Sequence, residues 1–497
     1  MQQSERSISQ WQELMERGEV SAAEIVHHYL ERIDLIDRAG ATLRSVLEVN
    51  PAAAAIAAEL DAERNHSGPR GPLHGVPVLL KDNIDTGDAL TTTAGSLALE
   101  GHLAPEDAFL VARLRAAGAV ILGKANLSEW ANVRSTRSIS GWSSRGGQTR
   151  NPYALDRGPC GSSSGSAVAV AADLAVAAIG TETDGSIVCP ASVNGVVGVK
   201  PTLGLVSRSG IIPVADSLDT AGPTTRTVAD AAVMLSVMAG SDSRDPVTRA
   251  AASHAAPDYR MHFDGPGVRG ARLGIVRSCC GKDEGTDAVF ESAIETLRDL
   301  GAEIVDGVDL SGVAEVREQE MRVMRVELKH GIDAYLHERP EAPVRNLADV
   351  IAFNERHAER VMPLFGQDFL EMAQAEPGLD DPSYLEALTA CRRAAREEGI
   401  DRALLEQRLD ALVAPTSTPA RVIDPVDRGK LLGECASPAA LAGYPHVSVP
   451  AGYVHGLPVG LSFFSGAYRD WQLLGYAYAF EQATPARRPP TFPERVP

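Results

Sequence analysis

Three side chains in this sequence have the types and spacing to generate an activated nucleophile. Ser162 lies in the segment CGSSSGSAVAVA, Ser186 lies 24 positions later in GTETDGSIVCP, and Lys81 directly follows the apolar run VPVLL. Small residues crowd both serine segments, so backbone N–H groups can lie exposed beside the two hydroxyl groups. A site that stabilises an oxyanion needs such donors. These residues predict a hydrolase.

The base that accepts the serine proton is expected to be Lys81. No histidine lies near either serine in the sequence, and a serine hydroxyl is a poor nucleophile until a neighbour takes its proton. A lysine can do so only as a neutral amine. Lowering the pKa of a free lysine from about 10.4 to about 7 takes roughly 4–5 kcal/mol of preference against the charged form. Burial supplies that pressure, so we expect Lys81 to be buried.

The elements around these residues alternate between strands and helices. Residues 76–80 are apolar and bounded by Pro and Gly, which indicates a buried strand with Lys81 at its carboxyl end, the edge where α/β sheets bind ligands. Helices are expected at residues 21–38, where Ser21 and Glu24 have capping-box spacing, and at residues 109–117 and 166–172. Further strands are expected at residues 119–122, 175–179, 272–276, 411–413, 446–449 and 459–464. The pattern predicts an α/β fold.

Two longer segments are expected to lie outside this alternation. Residues 241–268 are rich in Ser, Asp, Pro, Ala and His, which indicates a surface connection. Residues 285–405 have mostly the periodicity of amphipathic helices and predict an insertion packed beside the core.

Composition and charge exclude several classes of protein. The 497 residues carry a net charge of −19, and an acidic surface repels nucleic acid and anionic lipid. No signal sequence or membrane-spanning run is visible, and Asp173 interrupts the longest alanine-valine stretch. The six cysteines match neither a disulfide framework nor a zinc spacing. We therefore expect reduced thiols and a cytoplasmic location.

Four segments resemble the amidase signature hydrolases, most closely the bacterial peptide amidases. They are GPLHGVPVLLKDNI (71–84), LGKANLSEWAN (122–132), residues 147–190 from GQTRNPY to GTETDGSIVCP, and GYPHVSVPAGYVHGLPVGL (443–461). The resemblance extends over about residues 20–490. It implies an αβα sandwich with a central mixed β-sheet covered by helices.

The resemblance also implies a division of the chain. It predicts one amidase signature domain over residues 1–497. Within it we expect an N-terminal helical segment at 1–65, a catalytic core at 70–240, a mostly helical insertion at 270–405 and a return to the core sheet at 406–485.

Catalytic roles follow residue by residue from the same resemblance. It implies a Ser–cisSer–Lys triad in which Ser186 is the nucleophile, Ser162 relays the proton and follows a cis peptide bond, and Lys81 is the terminal base. Gly161 precedes that bond, and Ser163 is expected to support the site by hydrogen bonding. The oxyanion hole is implied to consist of backbone N–H groups of four consecutive residues, Thr183, Asp184, Gly185 and Ser186. No metal or other cofactor is implied.

The chain departs from the commonest family pattern at four positions. Cys160 and Ser164 replace glycines, Asp184 replaces the first glycine of the usual GGS, and Val188 replaces an arginine. These departures resemble the peptide amidase branch. Because a carboxylate near a developing oxyanion would oppose catalysis, we expect Asp184 to point away in a structural role, with a contact to substrate as the alternative.

Other interpretations of the same residues remain open at this point. Residues 161–165 also match G-x-S-x-G, which would make Ser163 the nucleophile with His446 or His455 as partner. A phosphate-binding loop is a weaker alternative, since the segment lacks the G-K-[ST] ending. Structural roles are expected for a further group of polar and aromatic residues: His74, Lys124, Trp130, Trp142, Glu182 and Lys200. For Trp142 the alternative is a position lining the substrate entrance.

The residues predict an amide-bond hydrolase that releases ammonia from carboxamides, and the resemblance to peptide amidases implies C-terminal peptide amides as its substrates. A general amidase for small aliphatic or aryl amides is one alternative. The amidase subunit of a tRNA-dependent amidotransferase, which would require partner chains, is another. We expect a small-molecule or peptide substrate, a monomer or homodimer, and no association with nucleic acid or membrane.

Overall fold

The computed structural model describes residues 5–424 and 435–496. At its centre is an eleven-stranded sheet, and two further short strands form a separate sheet. The strands are β1 (Val46–Val49), β2 (Pro77–Lys81), β3 (Val120–Ala125), β4 (Trp142–Ser143), β5 (Gly147–Gln148), β6 (Ala177–Glu182), β7 (Val197–Lys200), β8 (Thr220–Thr225), β9 (Arg272–Val276), β10 (Glu303–Val308), β11 (Ala411–Pro415), β12 (His446–Val454) and β13 (Leu457–Phe464).

The central sheet is mixed, as predicted. Its strand order is β1-β3-β2-β6-β8-β7-β12-β13-β11-β9-β10. Strands β3, β2 and β6 run parallel to one another, as do β11, β9 and β10, while the strands between these two groups pair antiparallel. The two parallel groups are separated by an antiparallel centre, and the candidate site lies in the first group.

Helices surround this sheet and make up most of the remaining regular structure. They are α1 (Ile8–Glu16), α2 (Ala22–Arg32), α3 (Ala53–Ser67), α4 (Phe109–Ala116), α5 (Ser164–Ala171), α6 (Val188–Val193), α7 (Val228–Met238), α8 (Thr248–Ala251), α9 (Glu284–Asp299), α10 (Gly312–Glu315), α11 (Arg317–His337), α12 (Leu347–Arg356), α13 (Ala358–Val361), α14 (Asp368–Ala375), α15 (Pro382–Ala395), α16 (Asp401–Glu406), α17 (Ser437–Ala442) and α18 (Asp470–Ala483). Within residues 5–424 and 435–496, no helix is both long and apolar enough to cross a membrane.

Apolar side chains cover the sheet on both faces. Successive residues of a strand point to opposite faces. In β11, Ala411 and Val413 belong to one buried cluster, whereas Leu412 and Ala414 belong to another. In β13, Leu461 and Phe463 belong to the first cluster and Phe464 to the second, so apolar side chains cover both faces and the αβα arrangement is confirmed.

Local sequence signals account for several of these elements. Ser21 accepts a hydrogen bond from the Glu24 backbone N–H, and the Glu24 carboxylate accepts one from the Ser21 backbone, which forms the expected capping box. Strand β2 is buried along its whole length, as its unbroken apolar run predicts. It extends to Lys81, so the lysine is the last residue of the strand itself.

The helices after α9 attach to the loops after β2 and β3 through buried arginines. Arg339, two residues after α11, forms an ion pair of 2.5 Å with Asp85, and Tyr335 donates a hydrogen bond of 2.7 Å to the same carboxylate. Arg134 is fully buried, forms an ion pair of 3.1 Å with Glu129, and donates hydrogen bonds to backbone carbonyls of residues 361–366. These contacts fix the later helices to the loops that follow β2 and β3.

Candidate functional site

Lys81 is fully buried at the carboxyl end of β2, and its amino group meets Ser162. The Lys81 Nζ atom lies 2.7 Å from Ser162 Oγ, 2.8 Å from Thr181 Oγ1 and 3.1 Å from the Thr181 carbonyl oxygen. Thr181 belongs to β6, the parallel neighbour of β2. The lysine therefore has one hydroxyl partner on the serine loop and two acceptors on the adjacent strand.

Burial changes the protonation of this lysine. It lowers the pKa of Lys81 to about 7, because the charged amine loses its hydration there, while the carboxylates of Asp219 and Glu182 act in the opposite direction. A pKa near 7 leaves a large fraction of the amine neutral at neutral pH. A neutral Nζ has a lone pair that can accept the proton of the Ser162 hydroxyl.

The loop that carries Ser162 packs closely against its neighbours. The Gly161–Ser162 peptide bond is cis. A Cβ atom at Gly161 would lie 2.2 Å from Ser128 Oγ, so a side chain there would displace the Ser128 hydroxyl. The Ser128 N–H donates to the Ser162 carbonyl at 3.1 Å, and the Ser163 N–H donates to the Ser186 carbonyl at 3.1 Å. These bonds hold the two serine segments side by side at the start of α5.

The hydroxyl of Ser163 is occupied with the backbone of β6. Its Oγ donates to the Thr181 carbonyl at 3.0 Å and accepts from the Thr181 N–H at 3.1 Å. His446 lies 2.6 Å from Ser462 Oγ, and burial lowers its pKa to about 3. These contacts favour a supporting role for Ser163 and do not favour the G-x-S-x-G interpretation.

A tight turn presents Ser186. Gly185 has a φ of 80°, a conformation that favours glycine. The Glu182 carboxylate accepts hydrogen bonds from the Ile187 and Val188 N–H groups at 2.7 and 3.0 Å. These bonds connect the two ends of the turn and fix its shape. Ser186 is 8% exposed, whereas Lys81 and Ser162 have no accessible surface. Of these three residues, Ser186 is the one that a substrate can reach.

The side chain of Asp184 points towards the later helices. Its Oδ2 atom accepts hydrogen bonds from Ser437 Oγ at 2.8 Å and from Arg317 at 3.3 Å. Glu320 of α11 lies beside it, and burial together with the Asp184 charge raises the pKa of Glu320 to about 8. These contacts agree with a structural role for Asp184.

Two of the six cysteines form a disulfide, so the prediction of reduced thiols was wrong for them. Cys160 is bonded to Cys189, 29 residues further along the chain. Cys160 lies two residues before Ser162 and Cys189 lies three residues after Ser186. The spacing of Cys160 and Cys189 in the sequence does not indicate this pairing, because the two cysteines come together only when the chain folds. The disulfide cross-links the two serine segments, and disulfides form in oxidising compartments, so it gives no support to a cytoplasmic location.

The family match covers nearly the whole chain. The family model described as Amidase matches residues 24–474. The chain belongs to the amidase family. The crystal structure of native peptide amidase from Stenotrophomonas maltophilia superimposes on this amidase with a TM-score of 0.93 at 51% identity, covering 98% of this chain and 99% of the other.

Curated relatives of this amidase are named as amidases and as amidotransferase subunits. A probable amidase of Arabidopsis thaliana is 40% identical over 95% of this chain and 89% of its own length. A glutamyl-tRNA(Gln) amidotransferase subunit of Symbiobacterium thermophilum is 38% identical over 94% of each chain. These names describe the relatives, and they leave the substrate of this amidase open.

The remaining lysines singled out from the sequence have structural contacts in this amidase. Lys124 donates to the Ile84 carbonyl at 2.6 Å and to Thr92 Oγ1 at 3.0 Å. Lys200 donates to the neighbouring Pro201 carbonyl at 3.3 Å. Both were expected to be structural.

Sequence reasoning missed two residues of the site, Thr181 and Asp219. Thr181 contacts Lys81 because β2 and β6 are in register, which a single strand does not reveal. Asp219 Oδ1 accepts a hydrogen bond of 2.6 Å from Thr183 Oγ1. Its position 33 residues after Ser186, just before β8, offered no spacing signal.

Proposed function

We propose that this amidase releases ammonia from C-terminal peptide carboxamides through an acyl-enzyme formed on Ser186. The observation that carries the proposal is the contact between Lys81 and Ser162. The Lys81 amine is buried, has a pKa of about 7 and lies 2.7 Å from Ser162 Oγ. The loop that carries Ser162 is hydrogen-bonded to the Ser186 segment. The similarity to a peptide amidase structure over almost the whole chain supports the substrate class.

In the proposed first step, neutral Lys81 accepts the hydroxyl proton of Ser162 while Ser162 accepts that of Ser186. The Ser186 Oγ atom attacks the carbonyl carbon of the amide and forms a tetrahedral intermediate. Backbone N–H groups of residues 183–186 hold the oxyanion, which is the arrangement that stabilises acyl transfer most strongly. The turn is suited to this task because Glu182 and Gly185 fix its shape.

Collapse of the intermediate breaks the carbon–nitrogen bond. The proton held by Lys81 returns through Ser162 to the leaving nitrogen, which departs as ammonia. Water then attacks the Ser186 ester, and the same relay carries its proton to Lys81 and back to Ser186. The products are a peptide carboxylate and ammonia, and the enzyme returns to its starting protonation state.

The test is an ammonia-release assay on the purified chain with four substrates: a peptide amide, the same peptide as a free acid, a simple aliphatic amide and free glutamine. We expect turnover of the peptide amide that is well above that of the simple amide. Ser186→Ala should abolish it, with Ser166→Ala as the matched control because Ser166 bonds to the Ile179 carbonyl within the core. Equal rates on both amides would favour a general amidase.

A second candidate is the amidase component of a tRNA-dependent amidotransferase, favoured by the 38% identity to a protein of that name. Turnover of glutamine alone, with no turnover of peptide amides, would support it. For the proposed peptide amidase we expect a monomer or homodimer that is active without partner chains, and we keep the cytoplasmic location as a prediction.

A further inference from the structure

Asp219 lies between two parts of the candidate site. Its Oδ1 atom accepts the hydrogen bond from Thr183 Oγ1, and its Oδ2 atom accepts from the Val214 and Ala215 N–H groups at 2.7 and 2.9 Å. Three donors thus hold one carboxylate in a fixed orientation. Thr183 is the first residue of the proposed oxyanion turn, so this carboxylate fixes where the turn begins.

Asp219 directly precedes β8, whose Thr220 and Ala221 pair with Glu182 and Thr181 of β6. Lys81 donates to the hydroxyl and the carbonyl oxygen of Thr181, so the strand pairing places the Asp219 carboxylate near the Lys81 amine. Among the charges that favour the protonated form of Lys81, Asp219 has the largest effect and Glu182 the next. Burial raises the pKa of Asp219 to about 6, partly opposed by its hydrogen bonds and by the Arg208 charge. Arg208 itself is paired with Asp245 at 2.6 Å and with Asp216 at 2.9 Å.

We propose that Asp219 is a positioning residue of the reaction with two roles. It orients Thr183 in the oxyanion turn, and its negative charge stabilises Lys81 when Lys81 becomes protonated. The inference rests on the proposed function. When Ser186 attacks, its proton passes through Ser162 to Lys81 Nζ, and a cation forms in a buried place. Asp219 offsets the cost of that cation, and it moves no proton itself.

Removing the charge tests the second of these roles. In Asp219→Asn the neutral form of Lys81 is favoured, so its pKa falls and it stays neutral at lower pH. We expect kcat to fall about 10- to 100-fold and the acid limb of kcat/KM to move down by about one pH unit, since a nearby charge shifts a pKa by one unit or more. A merely structural residue would lower kcat and leave the limb in place.

Removing the hydroxyl tests the first role. Thr183→Val loses the 2.6 Å bond, so kcat measured at about pH 8, well above the Asp219 pKa of about 6 where the carboxylate stays charged, should fall. Asp230→Asn is the matched control, because Asp230 is also buried and bonded to a backbone N–H, that of Ile8, but is not among the charges that act on Lys81. It should leave both kcat and the limb unchanged.

Two results would overturn the proposal: an unmoved acid limb in Asp219→Asn, or full kcat in Thr183→Val. If Asp219→Asn does not fold, because its amide group would face the Val214 and Ala215 N–H groups, Asp219→Ser carries the same expectation with a hydroxyl that accepts from them. Failure of the proposed function is a separate outcome, since it shows as activity that survives Ser186→Ala. All variants are assayed on whichever amide the wild type hydrolyses fastest.

Discussion

Replacing Lys81 with methionine should stabilise the folded protein increasingly as the pH falls, while removing most of its activity. Lys81 has a pKa of about 7 in the folded protein, against an ordinary value of 10.5 that it regains on unfolding. The unfolded chain therefore binds the proton more tightly than the folded chain. Protonation favours unfolding, so this destabilisation is fully present below pH 7 and absent above about pH 10.5.

The size of the effect follows from the two pKa values. At about 1.4 kcal/mol per pKa unit, the full difference is roughly 5 kcal/mol. Over the interval from pH 9 to pH 6, the free energy of unfolding of Lys81→Met should rise relative to the wild type by about 2–3 kcal/mol. The lost contacts to Ser162 and Thr181 add an offset that does not depend on pH.

Urea denaturation at several pH values between 6 and 9 measures this difference directly. Lys282→Met serves as the control, because Lys282 is exposed and its charge remains in water when the chain folds. The control should show no change with pH relative to the wild type. If the free energies of unfolding of Lys81→Met and the wild type change with pH in parallel, the claim that burial keeps Lys81 neutral is wrong.

The activity of the same variant tests the catalytic half of the argument. Loss of a general base lowers rates by about 10²–10⁴-fold, so kcat/KM of Lys81→Met should fall within that range. In the wild type, kcat/KM should decrease about tenfold per pH unit below about pH 7, because only neutral Lys81 accepts a proton. A wild-type profile that is flat through this region would contradict that role.

Three further perturbations have outcomes that the structure specifies. Gly185→Ala places an alanine at a φ of 80°, which should cost about 1–2 kcal/mol of stability. Because the N–H groups of the turn are displaced, kcat should fall about 10²–10³-fold in an ammonia-release assay. An unchanged kcat would argue against the turn as the oxyanion hole. Reduction of the Cys160–Cys189 disulfide opens a loop of about 30 residues and should cost about 3–4 kcal/mol in urea denaturation, with the double alanine variant insensitive to reductant; equal wild-type midpoints with and without reductant would show that the bond is not formed in solution. Arg134→Met leaves Glu129 buried without its ion-pair partner and should cost about 3–5 kcal/mol, whereas Arg137→Met, on an exposed stretch of the same loop, should cost little.

The α/β fold class and the burial of Lys81 at a sheet edge could be predicted because the relevant signals are local, whereas the proximity of Lys81 to Ser162 was implied only by the resemblance to the amidase signature hydrolases. An unbroken apolar run ending in lysine predicts a buried strand that leaves the lysine at a sheet edge. Small residues after Ser162 predict a helix packed tightly on that sheet. Both signals lie within a few residues of the side chains concerned.

Contacts that depend on register or on distant turns could not be predicted. Thr181 meets Lys81 only because Leu80 pairs with Ile179 across two parallel strands. The disulfide depends on two turns that bring positions 160 and 189 together, and Asp219 reaches Thr183 from the start of an antiparallel strand. Periodicity describes each element separately and contains no information about such pairings.

The ion pair between Asp85 and Arg339 limits how the enzyme can respond to a ligand. Asp85 lies four residues after Lys81, and Arg339 follows the long helix α11. A large movement of α11 would separate Arg339 from Asp85 and leave both charges buried without a partner. If the ion pair stayed intact, Asp85 would move with the helix and pull Lys81 away from Ser162. Binding of a ligand should therefore leave α11 in place relative to the strand that ends at Lys81.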